Sequence, residues 1–355
     1  MSLDHDPAPT PVLRVNLRSD DRAALAGLTA ELASRYDSVE AGEFQREARI
    51  YADELPRWLR RTVGGFRLTE PSGVLLISGL EIDDAALGRT PAHWKDRAPA
   101  PQTLPHDLAF YLIACLLGEP IGWATQQDGR IMHDVFPIEQ HASEQIGWSS
   151  AEVLVWHTED AFHPLRTDYL GLLCLRNPDG VATTLADIRD VRLGAATRDV
   201  LAEERFYILP DDSHRAANQL EADDDEARAA LRRRSSRQVD RALTAPQPVA
   251  VLFGPPEAPY LRIDPAYMNP MRDKLDTAAR AALDDVCAGL DAVLRELVLR
   301  PGDMCFIDNY RVVHGRQSFR ARFDGTDRWL RRLNLARDLR RSRALRLTPD
   351  SRVIY

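Results

Sequence analysis

No apolar run in this 355-residue chain approaches the ~18 to 20 residues that a membrane-spanning helix requires. The first residues, MSLDHDPAPTPVLRV, are acidic and proline-rich rather than basic and then apolar, so no secretory signal is expected and the cytoplasm is the expected compartment. The four cysteines, Cys115, Cys174, Cys287 and Cys305, are widely spaced and form no CxxC pair. That excludes a zinc knuckle or disulfide framework and predicts small buried hydrophobes in a reducing compartment. A basic surplus is missing too. With 46 Lys and Arg against 54 Asp and Glu the net charge is −8, which disfavours nucleic acid and suits a cationic small molecule. There is no internal repeat. What remains, 44% hydrophobic and 28% charged residues, is the composition of a globular protein able to bury a core.

The pattern along the chain predicts one domain over residues 1–355, beginning with a helical part over about 20–70. There Leu25, Leu28, Leu32 and Tyr36 recur at helical spacing. PSGVLLISGL reads as a turn and a buried strand, and DLAFYLIACLLGEP as a buried helix with a Gly-Pro stop. DYLGLLCLR, RFYILP, PVAVLFG and YLRID then read as short strands separated by turn residues. A second helix is expected from Thr277 to about Glu296, followed by two strands around the Pro-Gly-Asp turn of LVLRPGDMCFIDN. The polar segment 215–246, acidic and then basic, is a solvated helix or loop, or else a lid over a site. Short strands with helices around them predict a mainly β fold with flanking helices, a sandwich or jelly roll.

The chemistry concentrates in VLVWHTEDAFHPLR. An apolar strand there runs into His157 and Glu159, two apart and able to face one pocket. Alone, HxE is as well explained by a satisfied surface pair. Far downstream, FIDNYRVVHGRQSF supplies His314 after another strand. Two imidazoles and a carboxylate make the facial triad of non-haem Fe(II) oxygenases, with open positions for a chelating co-substrate and dioxygen. Arg328, in DGTDRWLRRLN, follows His314 closely and offers a planar fork for the far carboxylate of 2-oxoglutarate. His163, His133 and Asp160 read as structural, with Asp160 bracing the metal loop.

GWATQQDGR, WHTEDAFHPLRTDYLGLLCLRNPDGVATT, ILPDDSH and FIDNYRVVHGRQSFRARFDGTDRWLRRLN resemble the clavaminate synthase-like Fe(II)/2-oxoglutarate oxygenases, specifically the group of enduracididine and arginine β-hydroxylases. The resemblance implies a distorted double-stranded β-helix (jelly roll) core with flanking helices. It implies iron ligands at His157, Glu159 and His314, and 2-oxoglutarate held by Arg328 with Thr184 and Arg332. Dioxygen is the second co-substrate. It further implies a free cationic amino acid whose amino group meets Gln126 and Glu159 and whose guanidinium meets Asp211 and Asp264, with Ser213 a further substrate-binding residue. A desolvated guanidinium needs such acids.

One position departs from the group: where the arginine hydroxylases carry a second acid, this chain has Ala266. The expected reaction is therefore C3 hydroxylation of L-enduracididine in peptide-antibiotic biosynthesis. L-arginine, or desaturation or another oxidation of a related basic amino acid, remains open. A jelly roll with a structural metal, or a regulatory amino-acid binder, would not need Arg328. Neither nucleic acid nor membrane is an expected partner, and the oligomeric state is left open.

Overall fold

The computed structural model describes residues 12–96, 101–141, 147, 149–214 and 226–355. A short strand β1 (Leu13–Asn16) leads into three helices, α1 (Ser19–Ala33), α2 (Gly42–Ala52) and α3 (Arg57–Thr69). Strand β2 (Val74–Ser78), one turn of helix α4 (Asp84–Leu87) and the buried helix α5 (Leu104–Cys115) follow. Next come β3 (Glu119–Trp123), β4 (Met132–Val135), β5 (Leu154–His157), β6 (Tyr169–Arg176) and β7 (Ala182–Asp187). The helices α6 (Ala195–Leu201) and α7 (Glu226–Thr244) precede the two-residue strands β8 (Leu252–Phe253) and β9 (Tyr260–Leu261). Helices α8 (Pro265–Met268) and α9 (Thr277–Ala292) lead to β10 (Arg295–Val298), β11 (Met304–Asp308), β12 (Val312–Arg316), β13 (Trp329–Ala336) and β14 (Val353–Ile354).

The larger sheet runs β1-β2-β11-β6-β13-β3-β14, with β4 also paired to β13, and the smaller runs β10-β7-β12-β5. Side-chain alternation builds the layers. On β6, Leu170, Leu172 and Cys174 face the small sheet and meet Leu185, Leu297 and Val312. Leu173 and Leu175 face the other way, under α1, α2, α3 and α5. Helices α6, α8 and α9 cover the outer side of the small sheet, around Trp156, Ala186 and Val313. The result is a mixed α/β architecture with a β-sheet core flanked by helices. Among the described residues the strands form open sheets and no closed barrel.

Several expectations change. RFYILP forms no ladder beyond a single bridge, Phe206 to Val249, and PVAVLFG and YLRID contribute only the two-residue strands β8 and β9. Their apolar residues, Phe206, Ile208 and Val251, are buried as crossing loops packed with α9. The two strands expected in LVLRPGDMCFIDN are present, and they enter different sheets: β10 joins β7, whereas β11 lies between β2 and β6. Of the proposed lid segment, residues 215–225 lie outside the described residues, and Glu226–Thr244 is helix α7. No described helix is long and apolar enough to cross a membrane. All four cysteines are free, and only Cys287 is not fully buried.

The centre of the larger sheet is held by a charge cluster. Arg331 on β13 is fully buried and donates to both carboxylate oxygens of Asp107 on α5 at 2.8 and 3.1 Å, to Thr103 at 2.9 Å, and to Asp134 on β4. Trp329 Nε1 donates to the same Asp134 oxygen at 2.8 Å. Every charge here has a partner, so the danger lies in removing one. Arg331→Met would take this guanidinium away from the buried carboxylates of Asp107 and Asp134. It should cost about 3–5 kcal/mol of stability, read as a lowered denaturation midpoint.

Candidate active site

The small sheet brings the two histidines together by register. β12 and β5 pair antiparallel with His314 directly opposite His157, and the ring centroids lie 4.7 Å apart. His157 Nδ1 donates to the Val155 carbonyl at 2.8 Å, which leaves Nε2 free to ligate. Two residues on, the chain has left the strand, and Glu159 is fixed by a clasp from Asn309 in the β11–β12 turn. Glu159 N–H donates to Asn309 Oδ1 at 2.6 Å, and Asn309 Nδ2 donates back to the Glu159 carbonyl at 3.0 Å. Glu159 Oε2 then sits 3.1 Å from His314 Nε2 and 3.9 Å from His157 Nε2. The ligand atoms of all three lie within 4.8 Å of one another, a donor set that fits a divalent cation. Burial alone would raise the Glu159 carboxyl pKa; Arg332 and the two imidazoles outweigh it and hold the group below the usual carboxylate range.

One cavity between the sheets is lined by this triad together with Gln126, Asp211, Ser213, Asp264, Arg328 and Arg332. Leu170, Leu172 and Leu330 give it an apolar wall. Arg328 is buried at 5% exposure, and its Nε has no hydrogen-bond partner. Burial pushes its pKa down to about 10. A buried guanidinium with no carboxylate partner among the described residues calls for an anion, and the far carboxylate of 2-oxoglutarate fits that need. Arg332 is engaged differently. It donates to Glu159 Oε1 at 2.7 Å and Gln126 Oε1 at 2.9 Å, and lies 2.6 Å from His133 Nδ1.

Gln126 in turn donates to Ser213 Oγ at 2.7 Å, and Ser213 N–H donates to Asp211 at 2.9 Å. The backbone beyond Gln126 is left-handed at Gln127 (φ 40°) and Asp128 (φ 62°). The Gln127 side chain stabilises that strained turn through two bonds to the backbone of Asp134, at 2.8 and 3.0 Å. Asp264 caps α8, accepting from Tyr267 N–H at 3.3 Å, and the Tyr267 hydroxyl accepts from Asp212 N–H at 3.0 Å. Thr158 ties this side to the metal loop by exchanging bonds with Ile263.

Thr184 is the one proposed site residue outside the cavity lining. It pairs with Gly315, on the strand face opposite His314, while its neighbour Thr183 pairs with Arg316 and lines the cavity. His163 accepts from Leu165 N–H at 3.0 Å and packs on Trp123, and burial pushes it down to about 3, so it stays neutral. Asp160, with φ 50°, accepts from the side chains of Trp123 and His214 at 2.7 and 3.0 Å rather than from backbone. Asn309 and the bracing role of His133 left no local mark in the sequence, since their partners are far along the chain.

The β5–β12 contact is tight enough to test. A Cβ on Gly315 would lie 2.5 Å from the Leu154 carbonyl and 3.0 Å from Trp156 N, both backbone atoms of β5. Gly315→Ala should pry His157 from His314 and weaken Fe(II) or Co(II) binding roughly ten- to a hundredfold, read by metal titration of the folded variant.

A family model described as taurine catabolism dioxygenase TauD, TfdA family matches residues 54–334. The chain is 58% identical over 345 residues to the enduracididine beta-hydroxylase of Streptomyces hygroscopicus, covering 97% of this chain and 100% of that one. It resembles the crystal structure of the non-haem iron oxygenase OrfP with Fe, succinate and (3S)-hydroxy-L-Arg, at TM-score 0.88 and 42% identity over 96% of this chain and 99% of that one. OrfP with Fe and alpha-ketoglutaric acid gives a TM-score of 0.83 at 40% identity, over 96% and 100% of the two chains. With its ligand triad and its unpaired cavity arginine, the chain belongs to the TauD, TfdA dioxygenase family as a non-haem Fe(II)/2-oxoglutarate-dependent oxygenase.

Proposed function

We propose that the protein hydroxylates C3 of free L-enduracididine, with L-arginine as the weaker alternative, in the making of a peptide antibiotic. What carries this reading is one cavity lined at once by the His157, Glu159, His314 triad, by Arg328 and by the carboxylates of Asp211 and Asp264. The 58% identity to an enduracididine beta-hydroxylase supports the cyclic guanidine, and the OrfP complex with hydroxylated arginine supports the second choice. We further propose a single catalytic domain with a distorted jelly-roll core, working in the cytoplasm, which the four free thiols favour.

His157, Glu159 and His314 would hold Fe(II), which together with 2-oxoglutarate would supply the activation of dioxygen needed to replace the C3 hydrogen. Substrate, dioxygen and 2-oxoglutarate give hydroxylated product, succinate and carbon dioxide. Arg328 and Thr183 receive the co-substrate's far carboxylate. Gln126, oriented by Arg332 and Ser213, receives the amino-acid end of the substrate. Asp211 and Asp264 receive the guanidinium and so fix which hydrogen faces the metal. Ala266, beside them in the lining, adds no third carboxylate. A cyclic guanidine, with its ring nitrogens already substituted, has fewer donors to satisfy there than open arginine does.

Incubation with Fe(II), 2-oxoglutarate and air, giving enduracididine or arginine separately, tests this by mass spectrometry. The expected result is one added oxygen on enduracididine and little on arginine; dominant hydroxyarginine would overturn the substrate choice. In the same assay Ala266→Asp should shift the preference toward arginine by about tenfold, the worth of one charge-assisted hydrogen bond. Acidity gives a second check. Asp264 is pushed up to about 6 by burial, opposed by His157 and reinforced by Asp211. Its raised pKa means the carboxylate is charged above that value and neutral below it. The kcat/KM for a cationic substrate should therefore hold at neutral pH and fall through about pH 6, and Asp264→Asn should lose that limb.

A further inference from the structure

Arg316, two residues after His314, was no candidate from sequence, yet it lines the same cavity as Arg328. Strand alternation puts it on the His314 face of β12, directly across from Thr183 on β7. It is 3% exposed. Among the described residues its hydrogen bonds go to neutral groups: Nη2 donates to Ser149 Oγ at 2.8 Å and to the Glu152 carbonyl at 3.2 Å, and Nη1 to the Gln317 carbonyl at 3.3 Å. The guanidinium lies 5.1 Å from the Phe319 ring centroid, and its Nε has no partner. These contacts orient the group without neutralising it.

Arg328 is close enough for its charge to be felt at Arg316. Two buried cations facing one cavity, neither ion-paired with a carboxylate among the described residues, repel each other and cost stability until an anion enters. Among the described residues no carboxylate supplies that anion, so a ligand is the source the cavity offers. The substrate's positive end is served elsewhere, by Asp211 and Asp264, so the anion wanted at this end is the co-substrate's.

We propose that Arg316 is a second cationic binding residue for 2-oxoglutarate, acting beside Arg328 on the carboxylate far from the metal. The proposal rests on the oxygenase reading above. It explains why the segment from Ser149 to Glu152 is fastened to β12 by a guanidinium: the same group that holds this segment also carries charge for the co-substrate. It also gives the site a preference for a dicarboxylic 2-oxo acid over a monocarboxylic one that does not depend on Arg328 alone.

The test is anaerobic titration of the Fe(II)-loaded protein with 2-oxoglutarate and, separately, 2-oxopentanoate, which lacks the far carboxylate. Chelation is read from the visible charge-transfer absorption, so turnover is not needed. Arg316→Gln should weaken 2-oxoglutarate about tenfold or more, as loss of one charge-assisted contact does, and leave 2-oxopentanoate within about twofold. Arg316→Lys keeps the charge but not the fork, and should fall between wild type and Arg316→Gln, so it serves if the glutamine variant does not fold. Equal weakening of both oxo acids, equal weakening by Lys and Gln, or a raised KM for the amino acid with unchanged 2-oxoglutarate affinity would each overturn the proposal. If the wild type binds neither oxo acid, the oxygenase reading falls and takes the proposal with it. Wild-type binding with an unaffected Arg316→Gln variant sinks the proposal alone.

Discussion

The site hangs on the direct opposition of His157 and His314 across two antiparallel strands. Backbone pairing fixes the distance between opposed residues to within a fraction of an ångström, so two ligands are placed before any side-chain contact is made. The third, Glu159, cannot be placed that way because it lies past the end of β5. Asn309 takes over, reproducing with its side-chain amide the two-way exchange that a ladder would have given. Since Asn309 also donates to the Thr167 carbonyl at 2.9 Å, the loop between β5 and β6 is pinned at both ends by one buried side chain.

From this centre two polar regions of opposite character extend. Toward the substrate side, Glu159, Arg332, Gln126 and Ser213 form a chain of hydrogen bonds in which each group orients the next. Asp211 and Asp264 finish that side with negative charge. Toward the proposed co-substrate side lie Arg316 and Arg328, neither ion-paired with a carboxylate among the described residues. On the proposed reading, such a division would steer a guanidine-bearing amino acid and a dianion into opposite ends of one space, each end repelling the other's ligand.

How much of this could be read from the chain depends on whether the signal was local. His157 and Glu159 stand two apart, His314 follows an apolar strand, and Arg328 comes soon after it, so their chemistry crowds into short segments. The Thr183–Thr184 pair shows the limit. Every residue of β7 is buried, so polarity does not alternate along it, and only the pairing with β12 tells which threonine faces the cavity. RFYILP and PVAVLFG failed for a related reason, because apolar residues that bury as crossing loops look in sequence like those of a strand. Asn309 and the Arg331 cluster with Asp107 and Asp134 were invisible because their partners lie far away in the chain. Asn309 reaches across 150 residues and Arg331 across 224.

The order of strands has a consequence for the chain as it is being made. β13, at the middle of the larger sheet, pairs with β6, β3 and β4, all of which precede it by more than a hundred residues. β12, which carries His314, likewise joins the small sheet between two much earlier strands. A nascent chain that has emerged as far as α9 therefore holds two of the three ligand residues and two sheets with gaps in them. Loop closure over such distances is slow and comes late. The three ligand positions thus come together only once β12 has left the ribosome, and a product that stops short of it has no centre at which to generate a reactive oxidant.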